Sequence, residues 1–150
     1  MATISGKAQR ALDAQAERTR VRAQRQRQEE EAEIDRLIKE TGWAVCVTDA
    51  TEPLSPAPHF GYTIGRSAKN QPELCAWGHV REDIAPLLNV VGACLEMDGN
   101  IKIPEPGEVL TLPGVGAWEI LRVPPEVFAH LDYARSRYTF LRAVRLRRIA

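Results

Sequence analysis

The chain lacks any apolar run near the roughly 20 residues that a membrane-spanning helix needs, so no transmembrane helix is expected. Its first residues, MATISGKAQRALDAQAERTR, lack the apolar stretch of a secretory signal, and a cytoplasmic chain is the expectation. Cysteine is scarce. Cys46, Cys75 and Cys94 are odd in number and far apart, and none sits in a CxxC or histidine-paired zinc spacing. They suit a reducing compartment and read as small core residues, because free cysteine is among the most buried residue types. His59, His79 and His130 are scattered, with neither His-x-His nor HExxH, so no metal and no cofactor are expected. There is no G-x-S-x-G elbow and no P-loop. Gly114-Val115-Gly116 reads as a turn and not a phosphate cradle, since no helix with a polar N-cap follows it.

Net charge is absent too, but the zero conceals a pattern. Residues 1–41 hold nine basic and eight acidic residues, 42–132 hold five and twelve, and 133–150 hold six and none. An acidic middle with a basic tail suits self-association or an acidic partner. With 150 residues the chain has room for one globular domain and an appendage, and can bury a core without staples.

The appendage comes first. From about Gln9 to Glu40 strong helix formers run without Gly or Pro, which predicts one long charged helix. Only Ile34, Leu37 and Ile38 give it an apolar stripe; the part before is polar all round. Arg18, Arg20, Arg22, Arg25 and Arg27 form a basic block, and Glu29, Glu30, Glu31, Glu33 and Asp35 an acidic one. A solvated helix, an antiparallel pairing of Arg block with Glu block, and a nucleic-acid arm all stay open. A conventional coiled coil does not, because no apolar heptad is present.

Gly42 ends the helix. Trp43 to Asp49, His59 to Gly65 and Glu73 to Gly78 read as strands, the first two separated by the proline-rich ATEPLSP loop. Asp83 can cap a helix with Leu87, Leu88, Val91 and Leu95 on its core face, stopped by Asp98-Gly99. EVLTL and WEILRV flank the PGVGA turn as a hairpin. PPEVFAHLDYARSRY opens with prolines placed for a helix start and carries Val127, Leu131 and Ala134 on one face. TFLRAVRLRRI alternates imperfectly and reads as an edge strand or a tail. This order predicts an α+β fold. A mostly antiparallel sheet carries two packed helices against one face, preceded by the long charged N-terminal helix. The expected division is a helical extension over 1–41, an α+β domain over 42–138, and a basic strand or tail over 139–150.

Three segments together, GWAVCVTD, HFGYTIG and QPELCAWG followed by APLLN, carry a family pattern. They resemble the bacterial family known as domain of unknown function 4262: Gly42-Trp43 before a strand, Phe60-Gly61-Tyr62-Thr63-Ile64-Gly65, then Pro72-Glu73-Leu74 with Gly78 closing. The resemblance covers roughly Thr41 to Tyr138 and implies a compact α+β domain of bacterial or phage origin. It implies no activity. The chain departs from it in the TFLRAVRLRRIA ending and in the long first helix.

Within HFGYTIG, Phe60, Tyr62 and Ile64 point one way and His59, Gly61, Thr63 and Gly65 the other. The small face either floors a shallow cleft or receives a helix, since glycine in a strand marks close approach. Glu73 is placed to accept from Tyr62 or Thr63, as a general base or as a turn-fixing acceptor. His59, Tyr62, Thr63 and Glu73 are therefore the cleft candidates, with no catalytic residue assigned. Arg18, Arg20, Arg22, Arg25, Arg27, Arg142, Arg145, Arg147 and Arg148 are the partner or phosphate candidates; arginine suits phosphate because its fork binds two oxygens. The functional expectation is a protein-binding or self-associating module without catalysis. A nucleic-acid-binding accessory protein and a small enzyme stay open as alternatives.

Overall fold

A computed structural model describes residues 5–49, 59–97 and 102–149. The proline-rich loop over 50–58 and the expected Asp98-Gly99 helix stop lie outside the described residues.

Helix α1 spans Gly6–Thr41, a little longer at both ends than the sequence predicts. Ser5 caps it by accepting the Ala8 N–H at 3.1 Å. Gly42, at φ 97°, closes it and donates its N–H to the Ile38 carbonyl. The strands are β1 (Ala44–Asp49), β2 (His59–Ile64), β3 (Glu73–Trp77), β4 (Val109–Leu112), β5 (Gly116–Arg122) and β6 (Ala143–Arg148). Between them lie α2 (Arg81–Leu95) and two single-turn helices, α3 (Pro125–Phe128) and α4 (Asp132–Arg135). The single helix expected over PPEVFAHLDYARSRY is thus broken in two at His130-Leu131. Val127, Leu131 and Ala134 are nonetheless all buried, as the spacing requires.

The six strands form one sheet in the order β1-β2-β3-β6-β5-β4. All neighbours are antiparallel except β3 and β6, which run parallel with Leu74 opposite Val144. Helices cover both faces, not one. Ile84, Leu88, Val91 and Leu95 of α2 pack on Leu74, Ala76, Trp118, Ile120, Val144 and Leu146. Ile34 of α1 and Val127, Leu131 and Ala134 pack on the opposite face, over Phe60, Tyr62, Ile64, Cys75 and Trp77. Strand β3 is accordingly buried at every position, the pattern of a strand covered on both sides.

The C-terminal segment is neither a tail nor an edge strand. β6 lies in the interior of the sheet, between β3 and β5. Val144 and Leu146 enter the α2-side core. On the other face Arg145 lays its guanidinium 4.0 Å over the Trp77 ring, and Arg147 pairs with Glu119 of the neighbouring strand. Alternation with Val144 and Leu146 puts Arg145 and Arg147 on the face away from α2, where Arg145 is half-buried and Arg147 exposed.

Candidate functional site

The small face of β2 receives a helix. Gly61 lies directly beneath Ile84 and Leu88 of α2, and a β-carbon there would overlap the Ile84 Cγ2 methyl. The glycine permits the close helix–sheet approach and leaves no floor exposed. Thr63, on the same face, is fully buried.

Thr63 and Glu73 do meet. The Glu73 carboxylate accepts from the Thr63 hydroxyl at 2.9 Å, the Arg66 N–H at 3.1 Å, the Ser67 N–H at 2.8 Å and the Ser67 hydroxyl at 2.5 Å. Thr63 in turn accepts the Leu74 N–H at 2.8 Å. A carboxylate has about four lone-pair sites, so Glu73 has none left for a substrate. Burial pushes its carboxyl above the ordinary range, and the four donors pull it back. What this knot does is hold the turn through the 3-10 segment Arg66–Lys69 between β2 and β3. Arg66 is itself fully buried, with Nε on the Pro72 carbonyl at 3.2 Å and one terminal nitrogen 3.6 Å from Glu96.

Tyr62 points to the opposite face. Its hydroxyl accepts the Tyr133 N–H at 3.2 Å, and burial drives the phenol far above its normal range, with Cys46 beside it adding to the rise. His59 is half-buried at the far end of the strand. Of the four cleft candidates, only Thr63 and Glu73 come together.

The arginines are dispersed. Arg142 donates to the Asn70 carbonyl at 2.7 Å. Arg145 and Arg147 lie on one face of β6, and Arg148 on the other, near Trp118. On α1, Arg20 pairs with Glu17, and Arg27 pairs with Glu31 while stacking 3.8 Å over Tyr133. Arg18, Arg22 and Arg25 are exposed and have no ion-pair partner among the described residues.

The middle of α1 is anchored by polar contacts before its apolar stripe begins. Tyr133 donates its hydroxyl to Glu30, and Arg137 pairs with Glu31 and Asp35. Burial first, then Glu30, push the Tyr133 phenol up to about 12. Tyr133 and Arg137 stand out in sequence only as part of the basic, aromatic C-terminal stretch, because their partners on α1 lie about a hundred residues away and no local pattern links them. Beside this anchor runs a groove of about 650 Å³ between α1 and β1. Ile34, Leu37 and Cys46 line its apolar part, with Val45 and Val47, which also pack toward the α2-side core, along β1, and Tyr133, Glu29, Glu30 and Glu33 line the rest. β1 is an edge strand, so the groove is bounded by a strand with no neighbour on that side among the described residues. An apolar floor, a carboxylate rim and an open strand edge fit a polypeptide segment that brings apolar and basic side chains together.

Among the described residues no helix is long and apolar enough to cross a membrane. A family model described as domain of unknown function (DUF4262) matches residues 37–146, and the chain belongs to that family. The match starts in the last turns of α1 and runs into β6, leaving out most of the long helix. No curated protein and no solved structure matches the chain.

Proposed function

We propose that this member of the DUF4262 family is a cytoplasmic binding module that captures a basic, apolar-spaced protein segment in the groove between α1 and β1. The observation that carries the reading is the groove itself: apolar floor, Glu29 and Glu33 on the rim, and the edge of β1 alongside. Three unbridged thiols agree with a reducing compartment. The dispersal of Arg142, Arg145, Arg147 and Arg148 over two faces, with Arg147 neutralised by Glu119, favours a protein partner over nucleic acid. The saturation of Glu73 favours binding over catalysis.

The test is an NMR titration of the full chain with a basic amphipathic peptide, an acidic one of equal length, and a single-stranded RNA. The basic peptide is expected to shift the amides of Glu29–Glu33 and Val45–Thr48, and Glu29→Arg to weaken it. Shifts confined to β6, produced by the RNA, would replace this reading with the nucleic-acid one. Absence of groove shifts with every probe, on a chain verified as monomeric, would refute it.

A further inference from the structure

Residues 6–28 of α1 are exposed throughout. Up to Gln26 this stretch makes no hydrogen bond, ion pair or ring contact with the domain among the described residues, and a helix that is polar all round either stands on its intrahelical ion pairs or meets a partner. Its charges are arranged on one stripe. Arg18, Arg22, Arg25, Glu29 and Glu33 follow at spacings of four, three, four and four residues, so they stack along a single face over four turns. The first three are cationic and have no ion-pair partner among the described residues; the last two line the groove, Glu33 also pairing with Arg36 of its own helix, so that an incoming arginine would share or replace that pair. Arg18, Val21, Arg22 and Arg25 share one shallow concavity with an apolar residue in its midst.

A stripe that is basic in its first half and acidic in its second is complementary to itself when reversed. We infer that the segment captured by the groove is the Arg18–Arg25 face of α1 from a second copy of this chain, in a two-fold antiparallel pair. The inference rests on the groove being a binding surface, as proposed above. With the two-fold axis between residues 27 and 28, Arg22 comes opposite the other copy's Glu33, and Arg25 comes within one residue of level with Glu29, on the same face. Arg22 and Glu33 are eleven residues apart, about 16 Å along the helix and close to three whole turns. They therefore face the same side, and each copy contributes the arginine of one pair and the glutamate of its symmetry mate. Such an interface closes on itself and stops at two. Val21 enters with the arginines, and the projecting half of α1 gains contacts it lacks in a single copy.

Sedimentation velocity at low and high salt on three full-length proteins tests this. Wild type is expected as a dimer at low salt that dissociates as salt rises, because exposed pairs are screened within about 10 Å at 0.1 M. Arg22→Glu/Arg25→Glu and Glu29→Arg/Glu33→Arg should each be monomeric, with circular dichroism unchanged. Mixed in equal amounts, the two variants should form a heterodimer, since each now offers what the other lacks. Wild type monomeric under both salts, or variants that dimerise alone as well as wild type does, would overturn the inference. The groove reading has a separate fate. The Arg22→Glu/Arg25→Glu variant has its groove vacated, so it should bind the basic peptide more tightly than wild type. Equal peptide binding by a monomeric wild type would keep the groove reading and remove the self-pairing. No binding by either removes both.

Discussion

Replacing Glu73 by glutamine changes one atom and tests what the buried carboxylate is for. Each oxygen of Glu73 faces a backbone donor, one the Arg66 N–H and the other the Ser67 N–H, and each also receives a hydroxyl. Glutamine turns one oxygen into an NH2 group. Whichever way the amide is flipped, that NH2 confronts a backbone N–H that has no other acceptor in the knot. A buried donor left unpaired costs about 1–3 kcal/mol, and hydrogen bonds to a charged acceptor are worth about 1.5–3 kcal/mol. The loss of negative charge also removes part of what offsets the buried Arg66 guanidinium, whose charged form burial already disfavours. The expected destabilisation is about 2–4 kcal/mol, a fall in Tm of roughly 4–16 °C for a chain of this size. Urea and thermal unfolding followed by circular dichroism would read it. Thr63→Val should cost less alone, and should couple to Glu73→Gln by about 0.5–3 kcal/mol in a double-mutant cycle, because the two share a hydrogen bond. A Glu73→Gln protein within about 0.5 kcal/mol of wild type would overturn this account of the knot. It would mean that the carboxylate is dispensable to the turn and free for another task.

Gly61→Ala should destabilise by about 1–3 kcal/mol, since its β-carbon meets Ile84 of α2; an unchanged urea midpoint would show that α2 can stand off the sheet. Deleting residues 139–150 removes an interior strand, so the truncated chain should lose its cooperative thermal transition, whereas loss of a mere tail would leave it intact. Cys75 is fully buried and its thiol is pushed far up by that burial, and burial raises the half-buried Cys46 thiol too, so a thiol reagent should label Cys94 first in the native protein, Cys46 more slowly, and Cys75 only on unfolding. Burial, and then Arg145, hold the His79 imidazole below its ordinary range. The unfolded chain therefore takes up that proton first, and stability should fall as pH drops through about 6.5 and level off below the folded value. His79→Gln should flatten that slope in urea midpoints measured between mildly alkaline and mildly acid pH.

Several features follow from the sequence alone because their causes are local. The long helix follows from residue type and from Gly42; the α2 face from the spacing of Leu88, Val91 and Leu95; the hairpin of β4 and β5 from the turn between them. The segments HFGYTIG and QPELCAWG are also legible in sequence, and the Gly61 and Glu73 within them hold the α2 contact and the turn before β3. Other features depend on partners distant along the chain. Nothing near Arg145 announces that Trp77 will lie beneath it, so a core strand reads as a basic tail. Nothing near Arg27 or Glu31 announces Tyr133 and Arg137, so the anchor of α1 seems to begin only at Ile34. The faces of β2 follow from alternation, but whether its small face is open depends on where α2 settles, and that is fixed by the joint burial of the whole sheet. Local propensity and periodicity are written in neighbouring residues. Which surfaces are covered, and so which groove stays open between α1 and the edge of β1, is a property of the packed whole.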